Sequence, residues 1–128
     1  PASQLQEHKA EMADLVLGWL RDAQELADLR QVLLYLAAEA GDTEMINELL
    51  EKGANPNVDC AGQRALIIAA ELGNTSSIKA LLDGGAHVDA VNNEGDTALI
   101  IAAAAGHALS IETLLKLGGA IAQLLLNI

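Results

Sequence analysis

Residues 95–106, Gly-Asp-Thr-Ala-Leu-Ile-Ile-Ala-Ala-Ala-Ala-Gly, repeat residues 62–73, Gly-Gln-Arg-Ala-Leu-Ile-Ile-Ala-Ala-Glu-Leu-Gly, at a spacing of 33. A period of that length restricts the fold to architectures in which one small unit stacks on the next, because no single unit can bury its own apolar face. The match runs on beyond the motif: Ile78 pairs with Ile111, Leu81-Leu82 with Leu114-Leu115 and Gly85 with Gly118. An earlier copy aligns at an offset of 32, placing Ala37-Ala38 on Ala69-Ala70, Gly41 on Gly73 and Gly53-Ala54 on Gly85-Ala86. One residue is therefore missing after Gly53. The deficit is expected between Asn55 and Asp59, where Pro56 also fixes a backbone angle, and it predicts a tighter or displaced hairpin than the one at His87–Gly95.

Within each copy a short apolar helix ends at a glycine suited to a left-handed cap, and a second helix follows. In the first copy Asp42 or Thr43 is placed to cap that second helix. Ile46, Leu49 and Leu50 then face inward, while Glu44, Glu48 and Glu51 form a solvated face. The chain holds no Phe, one Trp and one Tyr, so its core must be built from Ala, Leu, Ile and Val. Small residues imply close helix packing. The units run from 31 to 57, 58 to 90 and 91 to 123, followed by an apolar tail, residues 124–128. Ahead of them, Leu5, Met12, Leu15, Val16, Trp19, Leu20, Leu26 and Ala27 carry helical spacing. Residues 1–30 are accordingly expected to be an amphipathic helical cap that covers the end of the stack; Gly18 interrupts it at about 1 kcal/mol relative to Ala, which leaves a bend or two shorter helices open beside one continuous helix.

The turn Asn92-Asn93-Glu94-Gly95-Asp96-Thr97-Ala98-Leu99, the Gly106-His107 step and the run Gly85-Ala86-His87-Val88-Asp89-Ala90 together resemble the ankyrin repeat. The resemblance covers about residues 31–123. It implies an all-α solenoid of helix-turn-helix units joined by β-hairpin-like turns. It departs from the family pattern in one place: Leu33, Ala65 and Ala98 stand where the family usually has Pro, and Tyr35, Ile67 and Ile100 where it usually has His. Loss of that bridging His removes about 0.5–1.5 kcal/mol per hydrogen bond, and burial of Ile offsets it with about 1.5–3 kcal/mol. The expected result is a drier seam between repeats. Val32 and Arg64 in place of the usual Thr weaken the turn pattern in the first two repeats. Such regular substitution fits a divergent branch and an engineered sequence alike.

Eighteen acids against seven bases give a formal charge of −11, which repels nucleic acid and anionic membranes and suits a basic protein partner. The bases are scattered singly. Cys60 is the only cysteine, so no internal disulfide forms, and Glu7, Lys9, Glu11 and Asp14 occupy the region where a signal peptide needs an apolar core. The expectation is an intracellular protein, cytoplasmic or nuclear. His8, His87 and His107 have no zinc spacing, and phosphate loops, serine elbows and calcium loops are missing from the sequence. No enzyme activity, metal or cofactor is expected. Asn74-Thr75-Ser76 fits a glycan acceptor, but its place at a helix start argues for capping.

Ankyrin proteins bind other proteins on a concave side made by hairpin tips and inner-helix faces. By position, the resemblance implies a partner-binding set of Asp59, Gln63 and Arg64 in one turn and Asn92, Asn93, Glu94 and Asp96 in the next. Cys60 and Ala61 lie in the first turn as well. Glu39, Ala40, Glu71, Leu72, Ala104 and Ala105 add the inner-helix face, with Leu72 as an apolar anchor. The first functional reading is thus a protein-interaction module or scaffold. The alternative is a structural, self-associating unit that uses the N-terminal helix and the apolar C-terminal end.

Overall fold

The computed structural model describes residues 2–59 and 64–118, with side chains from residue 11 onward. Six helices appear among them: α1 (Ala2–Ala40), α2 (Thr43–Glu51), α3 (Ala65–Leu72), α4 (Thr75–Asp83), α5 (Ala98–Ala105) and α6 (Ala108–Leu117). The C-terminal part of α1, α3 and α5 stack as an inner layer, and α2, α4 and α6 stack behind them as an outer layer. Each inner helix also packs on the outer helix that follows it, giving three antiparallel pairs.

The pairs are set by their turns. Gly41, Gly73 and Gly106 adopt positive φ of 72, 71 and 78°, the left-handed region that glycine enters without a Cβ penalty. Behind each glycine the next amide bonds five residues back: Asp42 to Ala37, Asn74 to Ala69 and His107 to Ala102, at 2.9, 2.9 and 3.0 Å. The chain thereby reverses at once into the outer helix. Asp42 caps α2 by accepting the Met45 amide at 3.1 Å, and Thr97 caps α5 through the Ile100 amide at 3.3 Å.

Ala37, Ala38, Ala69, Ala70 and Ala102 lie buried where the inner helices meet, and their small side chains let the backbones approach. Ile46, Ile78, Leu81 and Leu114 fill the space between layers, each contributing about 1.5–3 kcal/mol by burial. Leu49 is buried and Leu50 half-buried, while Glu44, Glu48 and Glu51 face solvent. α3 has neighbours on both sides, and all of Ala65–Ala70 is buried. The drier seam is realised there: Ile67 is 2% exposed. It is not realised at Ile100, which is 50% exposed.

Three expectations are narrowed or corrected. α1 runs through Gly18 without a break, because about 1 kcal/mol of lost propensity is small beside the good helix formers around it. The helix also does not lie over the stack as a cap: Met12, Leu15, Val16, Leu17, Trp19 and Leu20 are all exposed. The hydrogen bonds bracket the missing residue in a window that overlaps the expected one at Val58–Asp59. Val58 bonds to Asn55 as Ala90 bonds to His87, still at an offset of 32, whereas Arg64 opens α3 as Thr97 opens α5, at an offset of 33. The deficit lies between Val58 and Arg64. The hairpin tip there, residues 60–63, and the tail, residues 124–128, lie outside the described residues.

Candidate functional site

The turn ahead of α5 is built by one side chain. Asn92 Oδ1 accepts the amides of Glu94 and Asp96 at 2.9 and 3.0 Å, and the Asn92 amide donates to the Asp96 carbonyl at 3.0 Å. Gly95 turns the tip at φ 84°, and Val91 and Thr97 close it with an antiparallel bridge. The hairpin projects Glu94 forward. Beneath it α5 is entirely apolar and presents Ala103, Ala104 and Ala105 to solvent.

Between this hairpin and the ends of α3 and α5 lies a groove of about 380 Å³, lined by Ile67, Glu71, Asn92, Glu94, Ile101, Ala104 and Ala105. Its floor is aliphatic and its rim carries two carboxylates. Neither Glu71 nor Glu94 has an ion-pair partner among the described residues, and no basic side chain lines the groove. Such a recess accepts a slender apolar segment carrying a cation or a hydrogen-bond donor.

The expected binding residues divide into groups. Glu71, Asn92, Glu94 and Ala105 come together in the groove. Asn93 is exposed on the same hairpin and Asp96 is half-buried behind it. Leu72 is exposed, at 47%, but is not among the residues that line the groove. Glu39 sits at the end of α1, and Asp59 borders the undescribed segment; both are exposed. Gln63, Cys60 and Ala61 lie outside the described residues.

Arg64, one of the expected binding residues, also makes contacts within the fold. Its Nη1 donates to the Asn57 carbonyl at 2.6 Å and its Nε to the Val91 carbonyl at 3.4 Å. The guanidinium thus ties its own repeat to the next, and the lack of a Thr cap on α3 is answered by a cross-repeat tether. Asn92 likewise serves the turn through its oxygen. Ile67 and Ile101 were not foreseen as groove residues; the repeat pattern marks both only as core.

Behind the groove, side chains bind one repeat to the previous one. Asn74 donates to the Ala38 carbonyl at 2.9 Å, and at the equivalent place His107 Nε2 meets the Glu71 carbonyl at 2.9 Å. Asn74 therefore stands at the start of α4 without capping it. Asn57 adds another link, donating to the Gly85 carbonyl at 3.0 Å and accepting the His87 amide at 2.7 Å.

Among the described residues no three His, Cys, Asp or Glu side chains converge as a metal site. No described helix is long and apolar enough to cross a membrane. A family model for ankyrin repeats in three copies matches residues 20–124. A sequence search of curated proteins finds no match.

Proposed function

The chain belongs to the ankyrin-repeat family, and from that premise we propose that the groove between α3, α5 and the 91–97 hairpin receives a basic segment of a protein partner. Ankyrin repeats are generally protein-protein interaction modules and typically not enzymes. What carries the reading for this face is the pair of unpartnered carboxylates, Glu71 and Glu94, over the floor of Ala104 and Ala105. A formal charge of −11 draws a cationic segment toward it, and the two rim acids orient that segment over the alanines. Asn93 and Asp96 extend the contact along the hairpin, and Glu39, Leu72 and Asp59 belong to its periphery.

The test is affinity capture with the intact chain beside the Glu71→Lys/Glu94→Lys variant, after thermal unfolding has shown both to be equally folded. Partners retained by the wild type and lost by the variant support the proposal. Identical captured sets would remove this groove as the binding face.

A further inference from the structure

α1 is 39 residues long, about 58 Å at 1.5 Å per residue, and the repeats use only its C-terminal part. Leu34, Ala37 and Ala38 are buried against α2 and α3. A second, separate stripe follows a heptad. Met12, Trp19, Leu26 and Leu33 recur every seven residues as one set, and Leu15, Leu29 and Leu36 fall three residues after members of it. All seven are exposed, from 39% at Leu33 to 69% at Trp19.

α1 has eleven exposed large apolar residues; seven lie on this stripe, and Val16 and Val32 flank it at the adjoining e and g positions. Only Leu17 and Leu20 fall outside. The stripe spans residues 12–36, between three and four heptads, which is the length at which an a/d pattern marks a coiled coil. A repeat of seven, rather than the 3.6-residue period of a helix lying on a globular core, is the geometry of one helix winding about another.

We propose that α1 forms a parallel, in-register two-stranded coiled coil with α1 of a second copy of this chain. The flanking charges favour that occupant and that direction. Glu25 takes a g position and Arg30 the next e position, five residues on, so a parallel partner sets Glu25 of one copy against Arg30 of the other on both sides. Neither residue has an ion pair within its own chain among the described residues. Of the remaining described e and g pairs, Glu11 with Val16 and Gly18 with Ala23 set no like charges together; Ala37, at the last e position, is buried against the repeats instead. Asp22 is the one polar residue on the stripe, and in this register it faces its counterpart. Two carboxylates meet there, and their repulsion lowers the stability of the dimer at that one layer.

Sedimentation equilibrium on the full chain tests the proposal. The expected result is a dimer, with Trp19→Glu/Leu26→Glu raising the dissociation constant at least about 100-fold while the repeats unfold at the same temperature. Asp22→Leu should tighten the dimer about tenfold or more, and Leu17→Glu, off the stripe, should leave it unchanged. A wild-type monomer at high concentration would overturn the proposal. So would a dimer that survives Trp19→Glu/Leu26→Glu, which places the contact elsewhere, or one that Leu17→Glu weakens as much as the seam pair does. A Leu15→Cys/Cys60→Ser chain should cross-link to its copy on mild oxidation, and failure to do so while dimeric would contradict the parallel register.

Discussion

The imidazole of His107 stands directly over Gly73: a β-carbon at Gly73 would lie 2.7 Å from Nδ1 of the ring. One repeat thus seats a side chain on the turn glycine of the previous repeat, while Nε2 of the same ring meets the Glu71 carbonyl. Gly106 has the same backbone conformation, φ 78°, but none of the described residues comes within 4 Å of its β-carbon position. Gly106→Ala should cost about 1–2 kcal/mol, the price of left-handed alanine. Gly73→Ala should exceed that by about 1–3 kcal/mol for overpacking. Urea unfolding of both variants and of Gly73→Ala/His107→Ala checks this, the excess vanishing in the double variant. Equal losses at the two glycines would contradict the contact.

Ser77 and Ser110 occupy equivalent, fully buried places in α4 and α6. Ser110 Oγ lies 3.2 Å from Thr75 Oγ1, whereas Ser77 Oγ has no partner among the described residues. Both gain the same helix propensity on conversion to alanine. Ser77→Ala should therefore be neutral or stabilising by up to about 1 kcal/mol, and Ser110→Ala should come out about 0.5–1.5 kcal/mol worse than it. Denaturant midpoints decide the order, and the reverse order would refute it.

Asn57→Ala removes two bonds to the loop of the next repeat at once and leaves the His87 amide and Gly85 carbonyl without that partner. A loss of about 1–3 kcal/mol is expected. Asn55→Ala, which removes a single bond to the Asn57 amide, should cost less. Hydrogen exchange at the His87 amide gives a local reading: it should accelerate in Asn57→Ala and hold steady in Asn55→Ala.

How far the sequence foretold these contacts differs by element. The helices of the repeats follow directly from apolar spacing and from Gly41, Gly73 and Gly106, because both are local signals. The tethers were hidden, since Asn74 and Arg64 bond carbonyls 36 and 27 residues away, and a short polar side chain at a helix start reads equally as a cap. In the groove, Glu71, Asn92, Glu94 and Ala105 were found by position within the repeat. Ile67 and Ile101 were not, because an isoleucine that walls a recess has the same spacing as one that fills a core. The exposed stripe on α1 was read as a cap because helical periodicity says which face is apolar and not what covers it.

Lys116 lies 2.7 Å from Glu112 on the surface of α6. Its hydrogen bond, and then its charge, hold the Glu112 carboxyl below the ordinary glutamate value. A depressed folded value means that any stabilisation is present above the unfolded value and is lost as pH falls through the folded one. Lys116→Gln should therefore melt slightly below the wild type at neutral pH and low salt, and the gap should close in acid, once the Glu112 carboxyl is protonated in both states, and in high salt. A gap that persists in acid would assign it to something other than this pair.

The groove claim is tested most directly by hydrogen–deuterium exchange on the intact chain with and without a captured partner. Added protection is expected in the amides of residues 92–96 and at the C-terminal turns of α3 and α5, around Glu71 and Ala104–Ala105. Protection confined to α2, α4 and α6, with residues 92–96 unchanged, would contradict it.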